Sequence, residues 1–266
     1  MANGIRNTAN IFKELLITAI ADAIFAWIFS YMKKLTVQTV LVLVIINLII
    51  VIIVLILKHL KTKKQYDDMG IVNCSQTLEN TELAPITCMK NIRHNLSFMG
   101  VGGEKWVKET HLMNEFKNML RTVSSSDGRI KFLLINPSSL SYNQLYHLRN
   151  EEVPQESYAK FATLMNEFEC LKVKLYDHLP SFRMQFVDDT YVAISRYYFK
   201  QELHSNAGRG LKMPHIIIEA ERSIHNGTSS VHKGSLYDSF AGFFDYIWKH
   251  SSPLQDWIDN GKKFNI

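Results

Sequence analysis

Val40-Leu-Val-Leu-Val-Ile-Ile-Asn47-Leu-Ile-Ile-Val-Ile-Ile-Val-Leu-Ile-Leu57 contains one polar side chain and no charge. Eighteen helical residues rise about 27 Å, close to the roughly 30 Å hydrocarbon core of a bilayer. Lipid satisfies such a run at little cost only if the backbone is helical. The stretch therefore predicts a transmembrane helix over 40–57 and separates the chain into a membrane part and a water-exposed part.

Working toward the N-terminus, residues 15–31 form a second apolar stretch, interrupted by Asp22. A cleaved signal peptide needs small residues after its apolar region, and Trp27, Phe29, Tyr31 and Met32 occupy that place instead. An interfacial helix needs a broad polar face, but the polar side here is only the narrow row Thr18, Asp22, Ala26 and Ser30. Rows of this kind face another helix. The link from Met32 to Thr36 is short enough to make a tight hairpin, in which Asp22 and Asn47 reach similar depths. Two readings of that polar pair stand side by side: a tie that fastens the hairpin or a homo-oligomer, or an ionisable group serving permeation. Lys58, Lys61, Lys63 and Lys64 follow the second span and Arg6 and Lys13 precede the first, against Lys33 and Lys34 in the turn, which places both termini in the cytosol.

Residues 1–64 hold eight Lys or Arg against two acids, and residues 65–266 hold 22 against 23, so the balance is +6 in the first part and −1 in the second. The basic excess belongs to the membrane end, and the water-exposed part has no overall positive field for nucleic acid. Cys74, Cys88 and Cys170 are odd in number and widely spaced, which fits reduced thiols in the cytosol and gives no zinc motif. No cofactor is expected.

Beyond the membrane part, residues 65–83 read as a polar linker and residues 84–266 as an α/β domain. Leu96–Val101 reads as a strand, and Gly102-Gly103 leads into a helix with Trp106, Leu112, Phe116, Met119, Leu120 and Val123 at helical spacing. That glycine pair is open to two readings, a backbone cradle for an anionic ligand or a tight turn. Lys131–Pro137 reads as a buried strand, 139–169 as helical, and Leu171–Tyr176, Arg183–Val187, Tyr191–Ser195 and His215–Glu219 as strands. A helix over Leu236–Lys249 follows, with Phe240, Phe243, Phe244 and Trp248 inward. Alternation of this kind predicts a mixed, mostly parallel sheet covered by helices.

The stretch Ser181-Phe-Arg183-Met-Gln-Phe-Val-Asp188-Asp189-Thr-Tyr-Val-Ala-Ile-Ser195-Arg196, following the strand at Lys131, resembles one phospholipase D-like domain. That family carries His-x-Lys-x4-Asp and then Gly-Ser. Ser181 stands at the histidine, Arg183 at the lysine, Asp188 at the aspartate and Ser195-Arg196 at the Gly-Ser. The family's nucleophile is the missing imidazole, so the resemblance implies a degenerate domain without catalysis. It leaves Arg183, Asp188 and Arg196 as candidates for an anion cradle, or Arg183 and Asp188 as a simple pair at a strand end.

Two N-terminal spans on such a domain also resemble the two-transmembrane effectors of bacterial antiviral defence, above all those of retrons. That resemblance implies an inner-membrane protein whose cytosolic domain receives a signal or partner, either a reverse transcriptase–msDNA complex or a nucleotide second messenger. Its hairpin then disrupts the bilayer in abortive infection. A membrane-tethered phosphodiesterase or phospholipase, and a non-toxic scaffold, are the alternatives.

Overall fold

The computed structural model describes residues 18–27, 30, 37–79, 81–149, 156–197, 213–220, 222–225, 228–231 and 235–260. The chain divides into two compact units, Met1–Lys63 and Lys64–Ile266.

The first unit contains helix α1, Thr18–Trp27, and most of helix α2, Val37–Asp68. Among the described residues α2 is the one helix long and apolar enough to cross a membrane. The first stretch, expected over 15–31, is described as helix only at 18–27 and Ser30, and the rest of it lies outside the described residues together with the whole Met32–Thr36 link. α2 does not stop with its apolar run. It continues through Lys58 for another eleven residues, about 16 Å of helix.

That continuation corrects the expected linker at 65–83. Residues up to Asp68 are helical, Gly70 closes the helix, and strand β1 begins at Ile71. Gly70 has φ +71°, and its N–H donates to Asp67 O at 2.9 Å. A Cβ there would lie 2.7 Å from Glu219 O, so glycine both ends the helix and admits the neighbouring strand. The polar composition of 65–83 hid a strand because β1 lies at a sheet edge, where Val72, Asn73 and Cys74 remain exposed.

In the second unit β1 (Ile71–Ser75) is followed by α3 (Pro85–Asn91), β2 (Asn95–Gly100), α4 (Glu104–Val107), α5 (Thr110–Ser125) and β3 (Arg129–Ile135). Next come α6 (Leu140–Arg149), α7 (Glu156–Glu167), β4 (Leu171–Tyr176), β5 (Phe182–Val187), β6 (Tyr191–Arg196) and β7 (His215–Glu219). The chain then forms a small hairpin of β8 (Arg222–His225) and β9 (Thr228–Val231), helix α8 (Leu236–Lys249), the two-residue β10 (Ser252–Pro253) and α9 (Leu254–Asp259).

Eight strands form one sheet in the order β1-β7-β6-β5-β2-β3-β4-β10. The expected mixed sheet is present, but it is not mostly parallel. Only β2–β3 and β3–β4 run parallel, and the other five pairings are antiparallel. The reason is local. Helical crossovers bring β3 and β4 back in the same direction, whereas Asp188 and Asp189, at φ +48° and +53°, turn β5 straight back into β6.

Strand alternation sends side chains to two cores. Leu96, Phe98, Phe132, Leu134 and Val173 pack beneath Trp106, Phe116, Phe161 and Leu164 of the helices on one face. Phe132 meets Phe116 edge-on at 5.6 Å and Phe161 at 4.7 Å. On the other face Met184, Phe186, Ile194 and Ile218 pack beneath Tyr237 and Phe244 of α8. Of the expected inward set on α8, Phe244 is buried and Phe240 and Trp248 pack half-buried against this core, whereas Phe243 is exposed. At the start of β3, a Cβ on Gly128 would lie 1.9 Å from His94 O, so this close approach of two backbones needs glycine.

Candidate functional site

The antiparallel registers place four polar residues in one row across four strands. Arg183 of β5 lies opposite Ser195 of β6, Ser195 opposite His215 of β7, and His215 opposite Ser75 of β1. Gln185, two residues beyond Arg183, shares this face and stands opposite Phe98 of β2. The row sits beside the carboxyl end of β2, where the parallel part of the sheet meets the antiparallel part. In open α/β sheets such a change of order is where ligands bind.

Here the position is packed with protein. Arg183, Gln185, Ser195 and His215 are all buried. One Arg183 nitrogen, Nη2, donates to Gln185 Oε1 at 3.1 Å, and Nη1 lies 3.5 Å from His215 Nε2. Its guanidinium carbon is 5.1 Å from the centre of the Phe98 ring, a cation–π distance. Gln185 Nε2 in turn donates to Leu83 O at 2.8 Å and to Cys88 Sγ at 3.2 Å, which anchors the segment before α3 over the row.

The electrostatics follow from this burial. Burial lowers the Arg183 pKa to about 10, with Tyr197 and Cys88 acting weakly the other way. Burial, and then the neighbouring guanidinium, push His215 down to about 4, so its imidazole is neutral at physiological pH. Burial pushes the Cys88 thiol up to about 12, which makes it an inert core group.

Asp188 does not join Arg183. Five residues of strand separate them by about 16 Å. The Asp188 carboxylate instead accepts backbone N–H groups from Arg93 at 3.0 Å, His94 at 2.8 Å and Asn95 at 2.9 Å. Its task is to bolt the β5–β6 turn to the start of β2. Both earlier readings of this residue, as cradle or as the ion-pair partner of Arg183, are corrected by that geometry.

The paired-arginine cradle is corrected as well. Arg196 stands opposite Phe182, whereas Arg183 stands opposite Ser195, so the two arginines occupy opposite faces of the sheet. Arg183 is buried and Arg196 is exposed. Two cations on neighbouring strands of a hairpin, thirteen positions apart as here, converge only when their register places them on the same face, and theirs does not.

Gly102 and Gly103 adopt the tight-turn alternative. Both are buried, Gly103 has φ +62°, and a Cβ on it would lie 2.8 Å from the Phe161 ring. The Gly102 carbonyl accepts the Ser157 hydroxyl at 2.8 Å. The helix that follows has four residues, too few to focus a useful dipole.

Tyrosines complete the closure at the ends of β2 and β3. Tyr158 Oη is shared between Ile135 O at 2.8 Å and Val101 O at 3.1 Å, and Tyr176 Oη donates to Gly100 O at 3.0 Å. The Val101 N–H donates to Tyr197 Oη at 3.3 Å. Sequence reading did not single out these tyrosines, nor Gln185 and His215. Gln185 was legible in principle, since Arg183 and Gln185 alternate with Met184 and Phe186.

In the first unit, Asn47 Nδ2 donates to Asp22 Oδ1 at 3.2 Å. The two polar side chains of the apolar helices therefore meet, as their matched depth implied. Among the described residues no group of three or more His, Cys, Asp and Glu is arranged to hold a metal.

No family profile and no curated protein matches the chain. Among solved structures it is similar to TrmBL2, an archaeal chromatin protein, at 14% identity and TM-score 0.39, over 76% of this chain and 64% of that one. It is similar to Nuc, a phospholipase D family member from Salmonella typhimurium, at 9% identity and TM-score 0.37, over 64% of this chain and 87% of that one. Phosphatidylserine synthase from Haemophilus influenzae Rd KW20 is similar at 14% identity and TM-score 0.36, over 68% of this chain and 38% of that one.

Proposed function

We propose that the protein is a membrane-anchored effector whose α/β domain receives a signal and performs no hydrolysis. The observation that carries this reading is the fate of the three motif positions. Ser181 replaces the imidazole nucleophile, Arg183 is sealed between Gln185, His215 and Phe98, and the Asp188 carboxylate holds backbone N–H groups. A phosphodiester transfer needs a reachable nucleophile and a base to activate it. The one imidazole in the row, His215, is buried beneath the sheet face, with Nε2 3.5 Å from the Arg183 guanidinium.

The membrane half of the reading is supported by the length and apolarity of α2 and by the Asp22–Asn47 bond. The chain crosses the bacterial inner membrane twice with both termini in the cytosol. In its full form the reading is an anti-phage effector of the retron type. A cytosolic partner or nucleotide signal engages the domain, copies of the chain associate, and the apolar helices breach the bilayer.

Forced expression with a membrane-potential dye tests this directly. Depolarisation that persists in wild type and weakens in Asp22→Leu, at equal membrane abundance, supports an effector. Undiminished growth and potential with the natural trigger present favour a scaffold, and hydrolysis of phosphodiester lipid favours the tethered-enzyme reading.

A further inference from the structure

The two ends of the sheet are treated differently. At one end β10 is two residues long, carries Pro253, which has no N–H to offer, and runs directly into α9. That edge is closed. At the other end β1 pairs with β7 on one side only, and no described strand covers its outer side.

An antiparallel strand directs half of its N–H and C=O groups away from its partner, so an outer edge is a template for another strand. Natural edges are blunted with lysine, other charges, proline or a β-bulge. Ile71-Val-Asn-Cys-Ser75 has no charge and no proline. Its one irregularity, a shift of register between Ile71 and Asn73, falls at the start of the strand, and Val72, 51% exposed, Asn73 and Cys74 all face outward to solvent.

We infer that the outer edge of β1 is a self-association site, where β1 of one copy pairs antiparallel with β1 of a second copy. The occupant is argued from the chain itself. β1 starts two residues after α2, and only eleven helical residues separate it from Leu57. Contour length therefore keeps every β1 within roughly 30 Å of the apolar run. If α2 spans the bilayer, as proposed above, all copies present the same uncharged edge in one thin layer, which raises its effective concentration against itself. A strand pairing with its own copy about a two-fold axis is isologous and closes as a dimer, which explains why one open edge does not lead to a fibre. The inference rests on the anchoring reading for its concentration argument, but the edge is a feature of the domain.

The test uses the full chain in bacterial membranes, oxidised with copper phenanthroline and run without reductant. Facing residues of an antiparallel pair have Cα atoms about 4.5–5.5 Å apart, within disulfide range. About a two-fold axis only one residue of an antiparallel pair faces its own copy, so a disulfide dimer is expected through one of three positions, native Cys74 or Val72→Cys or Asn73→Cys made in a Cys74→Ser background, several-fold stronger than through Glu79→Cys in that background. Cys74→Lys, which adds a charge at an exposed position, is expected to convert the detergent-solubilised dimer to monomer in light scattering. Cross-linking at all three strand positions no stronger than at position 79, or an unchanged mass in Cys74→Lys, overturns the inference. Release of the chain from membranes by alkali would overturn the anchoring reading instead, and the cross-links are then read on the released chain.

Discussion

Replacement of Asp188 separates a structural bolt from a site residue. Its carboxylate accepts three backbone N–H groups, from Arg93, His94 and Asn95, and its own φ is +48°. Hydrogen bonds to a charged acceptor contribute roughly 1.5–3 kcal/mol each when water cannot replace them. Arg93 and His94 are exposed and recover water partners, while Asn95 is half-buried and recovers less. One bond at nearly full value plus fractions of two others gives about 2–3 kcal/mol, and alanine in the left-handed region adds about 1 kcal/mol. Asp188→Ala should therefore lose about 3–4 kcal/mol, Asp188→Gly about 1 kcal/mol less than that, and Asp188→Asn, which keeps one acceptor oxygen, about half. In a domain of this size that is a fall in Tm of roughly 6–16 °C for the alanine variant. The assay is thermal and urea unfolding of the full chain in detergent, followed by tryptophan fluorescence, since Trp106 is buried in the first core. A loss below about 0.5 kcal/mol in Asp188→Ala would refute the bolt, because a surface residue without such a role behaves that way.

The neutral His215 gives a pH signature. Its folded pKa of about 4 lies below the ordinary 6.5, so its contribution is complete above pH 6.5 and is lost as pH falls from 6.5 toward 4, on the order of 2–3 kcal/mol in total. Urea midpoints measured across that window should fall in wild type and fall less in His215→Gln. Gly103→Ala brings a Cβ to 2.8 Å from the Phe161 ring at φ +62°, and it should cost about 1–3 kcal/mol in the same unfolding assay, with no dependence on added phosphate. In the membrane unit, Asp22→Leu should insert at least as well as wild type, because it removes about 2.5–3.5 kcal/mol of insertion cost, while Asp22→Asn should retain the contact to Asn47. Quantitative blots of alkali-washed membranes check both. A cysteine placed at Lys64 should react with a cytosol-restricted maleimide, and labelling from the periplasm would reverse the topology.

The elements that were legible in the sequence are those with a strong local signal. The buried strands Leu171–Tyr176 and His215–Glu219 and the helix Leu236–Lys249 fall at their expected bounds because apolar runs and their capping residues mark them. Ser235, for instance, caps α8 by accepting the Asp238 N–H at 3.1 Å. Strand β1 escaped notice because an edge strand has little apolar alternation, and strand direction escaped because connection length alone does not tell a crossover from a hairpin at every step. The site shows the same division. Arg183 and Ser195 were found from a motif spacing, yet their meeting with His215 depends on the register of β6 against β7, set by pairing across a long intervening segment. Parity would have warned against the Arg183–Arg196 cradle. It becomes usable only when the partner residue is known.

The most direct test of the account is phosphodiester hydrolysis by the full chain embedded in lipid nanodiscs, measured as release of headgroup from phosphatidylglycerol and of nitrophenol from bis-nitrophenyl phosphate. The account predicts turnover no different from that of the paired variant Ser181→Ala and Asp188→Asn, and no gain when divalent cations are added. Turnover well above that variant, and restored by reverting Ser181 and Asp188, would show that the motif positions still do chemistry and would contradict a non-hydrolytic receiver domain.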